Sequence, residues 1–385
     1  MSEGPKKSTV QEEVKRRKEV GVSENLARNW SSNLKNIKEG GRNMRKIPFF
    51  SGMMVAVFLL AGFSSGFAAS IEIKFAHVNP PDVFVSGKGA AGSVLKNTIE
   101  AETGGGVEVK VFPAGQLGGE RELIEGTKIG TIQMSMVSAA IAGFYKEAQV
   151  LDIPYLFTSA PVAWKVMDGW FGKEMAEDCL KKTGMRVLAY GETGFRNFTN
   201  SVRPIKSPAD MKGLKIRVME SPVYVNMVKA LGAAPTPIAW PETYTALQQK
   251  VVDGQENPVA VIVFVKLYEV QKYLTLDGHS YGVDFVLIND KFYQSLPKET
   301  QQIIKSAAIN AGWCGRGVQQ LNSAIGVSQL KEKGMEIYSP NAKERAMFRE
   351  VAQKPVVEYI EKQIGRPWID KLMKAVKEVE TELAK

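Results

Sequence analysis

The chain has 385 residues, 44% of them hydrophobic, which suits an ordinary globular protein of two domains. The net charge of +9 would suit a nucleic-acid partner, but residues 1–46 hold twelve Lys or Arg against six Glu; that net +6 leaves only +3 for everything beyond, so no nucleic-acid partner is expected. Two histidines, His77 and His279, and two cysteines, Cys179 and Cys314, are too few for a histidine-rich metal centre or a disulfide framework.

Residues 1–43 form a polar leader of mixed charge. Either the start codon lies at Met44 or the leader is a cytoplasmic tail, and its Lys15–Lys18 run reads as a solvated helix face. Residues 44–69 have the layout of a secretory signal peptide: Arg42, Arg45 and Lys46 precede an apolar core, and Ala68, Ala69 and Ser70 follow it. A retained anchor is the alternative, because Ile47 to Phe63 is nearly long enough to span a bilayer. The small-residue exit and a strand starting at Ile71 favour cleavage near Ala69/Ser70 and a periplasmic protein.

Ile71 to Ala76 alternates apolar and polar residues, so a first strand is expected there, followed by a helix over Ser86 to Thr103. Val107 to Val111 reads as a second strand and Gln116 to Gly130 as a helix. Glu120 falls in its first turn, where a carboxylate meets the positive end of the helix dipole. Ile132 to Val137 is a third strand, with Ser138 opening the next loop. Ala160 to Thr183 reads as mainly helix and Met185 to Tyr190 as another strand. Strands alternating with helices imply an α/β fold with a largely parallel sheet. Both cysteines sit in helical patterns; they could pair in an oxidising compartment, but buried free thiols fit better.

Gly213 to Pro258 is the richest stretch. Leu214, Ile216 and Val218 alternate as a half-buried strand that carries Arg217 on the opposite face. Ser221 and Pro222 start a helix that Gly232 ends, and Asp253 to Pro258 reads as a turn carrying polar side chains. An arginine facing such a turn can grip a carboxylate with two parallel charge-assisted bonds. Phe285 to Ile288 reads as a strand returning to the first domain. Lys298 to Lys331 reads as one helix, long enough to link two lobes, and Ala342 to Gly365 and Trp368 to Leu383 as amphipathic helices.

Catalytic apparatus is hard to find. The G-x-S-x-G string at Gly62 to Gly66 lies in the signal peptide. The glycine clusters at Gly104 to Gly106 and Gly115 to Gly119 lack the Lys and Ser/Thr of a phosphate loop. No enzyme, cofactor or metal is expected.

The runs M-K-G-L-K-I-R-V-M at Met211, A-L-G-A at Ala230, W-P-E-T-Y-T-A-L-Q-Q at Trp240 and V-D-G-Q-E-N-P at Val252 resemble the solute receptors of TRAP transporters. So do F-P-A-G-Q-L-G-G-E-R at Phe112, D-I-P-Y-L-F at Asp152 and G-F-R-N-F-T-N at Gly194, in the same order. The resemblance implies a two-lobed periplasmic-binding-protein-like α/β fold with a hinge and a long linking helix. Residues 70–194 and 283–322 would form lobe I, and 195–282 and 323–385 lobe II.

It also implies a site. Arg217 matches the arginine that salt-bridges the ligand's carboxylate, Arg196 a frequent second arginine, Asn257 the asparagine that completes the grip and Trp240 an aromatic wall. Glu120 and Ser138 fall on first-lobe loops facing the ligand, and His77 ends the first strand near the cleft, where a structural histidine is the alternative. The sequence departs from the family's sialic-acid receptors around Val137, where those carry a glutamate, which argues against sialic acid. The implied ligand is a small organic acid, a dicarboxylate or a hydroxy or keto acid. The implied partners are the permease subunits of a TRAP transporter, with the receptor itself a monomer. A sensor subunit using the same fold is the alternative.

Overall fold

The computed structural model describes residues 71–385. The expected leader and signal peptide lie outside the described residues. Strand β1 (Ile71–Ala76) is followed by α1 (Gly87–Glu102), β2 (Val107–Phe112), α2 (Glu120–Ile129) and β3 (Met134–Val137). β1 pairs in parallel with β2 and β3, and its alternation buries Ile73 and Phe75. The side chain of Ser86 caps α1 by accepting from the Gly89 amide at 3.1 Å.

The helix expected over 160–183 is two, α3 (Ala160–Asp168) and α4 (Trp170–Thr183). They break at Gly169, where a Cβ would lie 2.7 Å from the Lys165 carbonyl. The strand expected to end at Tyr190 continues as β4 (Met185–Asn200), 16 residues that span on the order of 50 Å. Then come β5 (Lys215–Val218), α5 (Pro222–Ala230), β6 (Ala234–Pro237), α6 (Thr243–Gln248), β7 (Gly254–Pro258), α7 (Val259–Phe264) and β8 (Tyr273–Asn289). The chain closes with α8 (Asp290–Ser295), α9 (Lys298–Glu332), β9 (Glu336–Tyr338), α10 (Ala342–Ile364) and α11 (Pro367–Leu383).

All strands share one sheet, ordered β2-β1-β3-β8-β4-β7-β5-β6, with β9 on β8. The two ends are parallel, as expected. The centre is not: β8 runs antiparallel to β3 and β4, and β4 antiparallel to β7. These two long strands carry the chain from one lobe to the other. One lobe packs around Ile73, Phe75, Leu95, Ile99 and Ile304, and the other has a core around Leu247, Val252, Ile262 and Leu330. Helix α9 contributes Ile304 to the first and Leu330 to the second, so it links the lobes.

The turn expected at Asp253 to Pro258 is strand β7, and all five of its residues are buried. The polarity that suggested a turn is satisfied inside the sheet: Gln255 donates to Thr199 at 2.8 Å, and Glu256 meets Arg196 and His279. The expected lobe borders at 194/195 and 282/283 fall inside β4 and β8, where Gly194 stands opposite Gly282. Helix α11 packs on α3 and α4, with Glu378 accepting from Trp170 at 2.9 Å and Trp368 edge-on to Phe171 at 5.7 Å. Cys179 is buried as expected, whereas Cys314 lies on the exposed face of α9; both are free thiols.

Candidate functional site

A narrow cavity of about 40 Å³ lies where the two lobes meet. Val78, Asn79, Lys88, Glu120, Ser138 and Ala140 line one side, Thr193 and Arg196 of β4 the floor, and Arg217, Met219, Glu220, Trp240, Asn257 and Val261 the other side. Six of the seven residues singled out in the sequence are therefore brought together.

Arg217 is placed by the alternation of β5, which turns Ile216 and Val218 to the core and the arginine to the other face; it is 1% exposed. Its Nε and Nη2 donate to the Ile238 carbonyl at 2.9 and 2.6 Å, and the guanidinium lies 5.6 Å from the Trp240 ring. Nη1 is buried without a hydrogen-bond partner among the described residues. Burial pushes the Arg217 pKa down to about 10 although Glu256 lies in range to oppose it.

Arg196 differs. Its Nε and Nη2 are clasped by the Glu256 carboxylate, and Nη2 also donates to the Glu256 carbonyl at 2.7 Å and to Asn257 Oδ1 at 3.0 Å. Burial works against this charge, but Glu256 outweighs it and holds the pKa above the ordinary arginine range. His279 completes the cluster, with Nδ1 2.9 Å from Asp277 and Nε2 3.3 Å from Glu256. Burial alone would lower its pKa; the two carboxylates raise it to about 9.

Across the cavity, Ser138 donates to Glu120 through its amide at 3.0 Å and its hydroxyl at 2.9 Å. Lys88 Nζ stands 2.8 Å from Glu120 and 3.2 Å from Asp284. Glu120 is thus not a simple helix cap. Burial opposes its charge, yet Lys88 and Ser138 hold its carboxyl below the usual range. His77 is not in the lining. It is fully buried beside Phe75, and burial with the nearby Lys88 charge lowers its pKa to about 3.

Sequence reasoning missed Lys88, Glu256 and Asp284. Lys88 had a signal: it is the lone charge in the Gly87–Gly92 run of glycine and alanine, all of it buried. Among the described residues no group of three His, Cys, Asp or Glu side chains could hold a metal ion, and no helix is long and apolar enough to cross a membrane.

Two lobes joined by through-running strands, with a small polar cavity at their junction, define a receptor for a small solute. The sequence model of the bacterial extracellular solute-binding proteins, family 7, matches residues 75–363, and the chain belongs to that family. It is 34% identical over 322 residues to the 2,3-diketo-L-gulonate-binding periplasmic protein of Escherichia coli, covering 83% of this chain and 96% of that one. It is 34% identical over 301 residues to the C4-dicarboxylate-binding periplasmic protein of Rhodobacter capsulatus, covering 77% and 89%. The sugar acid binding protein of Advenella mimigardefordensis, solved in complex with galactonate, matches at a TM-score of 0.77 with 33% identity, covering 80% of this chain and 99% of that one. These relatives are solute-binding proteins and not enzymes, and the chain is likewise a TRAP-type solute-binding protein.

Proposed function

We propose that the protein captures a small organic acid, a dicarboxylate or a hydroxy or keto acid, through a salt bridge from Arg217, and delivers it to the membrane permease of a TRAP transporter. One observation carries the reading: Arg217, which lines the cavity, has its Nη1 buried with no hydrogen-bond partner among the described residues. A buried guanidinium nitrogen left unpaired is costly, and a carboxylate placed there would satisfy it. Asn257, Trp240, Arg196, Glu120 and Ser138 complete the site, Arg196 mainly by fixing Asn257.

In this reading the mature protein begins near Ser70, after cleavage of residues 44–69, and works in the periplasm as a monomer. The lobes are 70–194 with 283–322 and 195–282 with 323–385, hinged where Gly194 faces Gly282. The positive φ of 101° at Gly194 and the register shift beside it support a hinge at that point. A thermal-shift screen over organic acids tests the reading, since a ligand bound only by the folded state raises the melting point by mass action. Hits confined to amino acids or neutral sugars would contradict it.

A further inference from the structure

We infer that Lys88 and Glu120, with Asp284 holding Lys88 from behind, form a specificity wall that selects acids with one carboxylate and distal hydroxyl groups and turns away dicarboxylates. The inference rests on the reading of Arg217 as the carboxylate anchor and narrows the proposed ligand class, dropping the dicarboxylates from it.

Its basis is the pairing of charges around the cavity. Arg196 is matched by Glu256, His279 lies between Asp277 and Glu256, and Lys88 lies between Glu120 and Asp284. Of the three cations lining the cavity, only Arg217 has no carboxylate in salt-bridge contact among the described residues. This buried, unmatched positive charge calls for one negative charge from the ligand, while Glu220, exposed at the rim of the lining, adds a negative charge that disfavours a second carboxylate. A second carboxylate reaching across would meet Glu120, whose charge Lys88 and Ser138 preserve, and find Lys88 already committed.

The same wall suits hydroxyl groups. Glu120 stands in the cavity lining and has lone pairs beyond those used by Lys88 and Ser138, so it can accept from a ligand hydroxyl. A hydroxyl can donate to a carboxylate and accept from an ammonium group; a second carboxylate can only accept. The acceptor excess therefore separates two ligands of equal length that differ only in whether the far end is CH2OH or COO⁻.

Titration calorimetry on the exported protein with galactonate and galactarate, and with erythronate and meso-tartrate, tests this. Wild type should bind at least one of the monoacids and prefer it over its diacid at least tenfold. Glu120→Gln, isosteric and uncharged, should lower that preference at least tenfold, with a melting curve confirming that the variant is folded. Equal or tighter binding of the diacid by wild type overturns the wall and leaves the anchor standing, as does an unchanged preference in Glu120→Gln. The anchor itself falls, and the wall with it, if none of the four acids nor any other carboxylate binds. The wild-type comparison needs no variant, so a misfolded Glu120→Gln does not shield the inference.

Discussion

Arg217 donates two of its nitrogens to a single carbonyl, that of Ile238, at 2.9 and 2.6 Å. One edge of the guanidinium is thereby fixed to the protein backbone, and the nitrogen that remains, Nη1, has no acceptor among the described residues. Arg196, two strands away on β4 and equally buried, is instead closed by Glu256. Two arginines alike in sequence context thus have different tasks: one holds the site together and one is left for the ligand.

The close contact of α1 with α9 depends on two glycines. A Cβ on Gly315 would lie 2.8 Å from the Gly87 carbonyl, and one on Gly87 would lie 2.7 Å from the Gly315 carbonyl. Gly315→Ala should force the helices apart and cost about 1 to 3 kcal/mol, by the usual penalty of overpacking. Chemical denaturation with urea reads this as a lower midpoint at unchanged slope.

Strand and helix positions were legible wherever one face of an element is buried, as in β1, β2, α9 and α10, because the apolar period then follows the geometry. They were not legible at the sheet's centre. β7 is buried on both faces but is polar, so its sequence resembles a turn; its partners Arg196 and His279 lie about 60 and 23 residues away, and no local pattern reveals them. The motif residues of the site came together, while Glu256 and Asp284 stayed hidden for the same reason. The partial mismatch at His77 has a simple origin: a strand end marks the cleft, but the ring turned into the core.

His77→Leu should leave ligand affinity within about twofold, since the ring is outside the cavity lining. Its effect should appear in acid. A histidine whose folded pKa lies near 3, below its ordinary 6.5, contributes stability above 6.5 that is lost as pH falls toward 3. The variant should therefore lose less stability than wild type over that window, as measured by denaturation midpoints at a series of pH values. A large loss of affinity would put His77 back in the site.

His279 has the opposite sign. Its folded pKa of about 9 lies above the ordinary 6.5, so its pairing with Asp277 and Glu256 stabilises the fold fully below pH 6.5, and that stability is lost as pH rises through 9. The contribution is on the order of 3 kcal/mol. His279→Gln should be destabilised at pH 6 and approach wild type near pH 9.5, which thermal melts across that range would read. A gap independent of pH would mean that the ring is neutral in the fold.

The account rests most directly on Arg217. Calorimetric titration of wild type, Arg217→Lys and Arg217→Ala with an acid found by the thermal screen, beside a melting curve for each free protein, measures binding and folding separately. Replacing the arginine by Ala should cost on the order of 3 to 5 kcal/mol of binding, roughly a thousandfold in Kd. The lysine variant keeps the charge but loses the fork, and should also bind more weakly. Free-state stability should fall far less than binding, because the unliganded guanidinium is buried against its own charge, as its pKa of about 10 reflects. Unchanged affinity in Arg217→Ala would contradict the account, and equal losses of binding and of free-state stability would make Arg217 a structural residue.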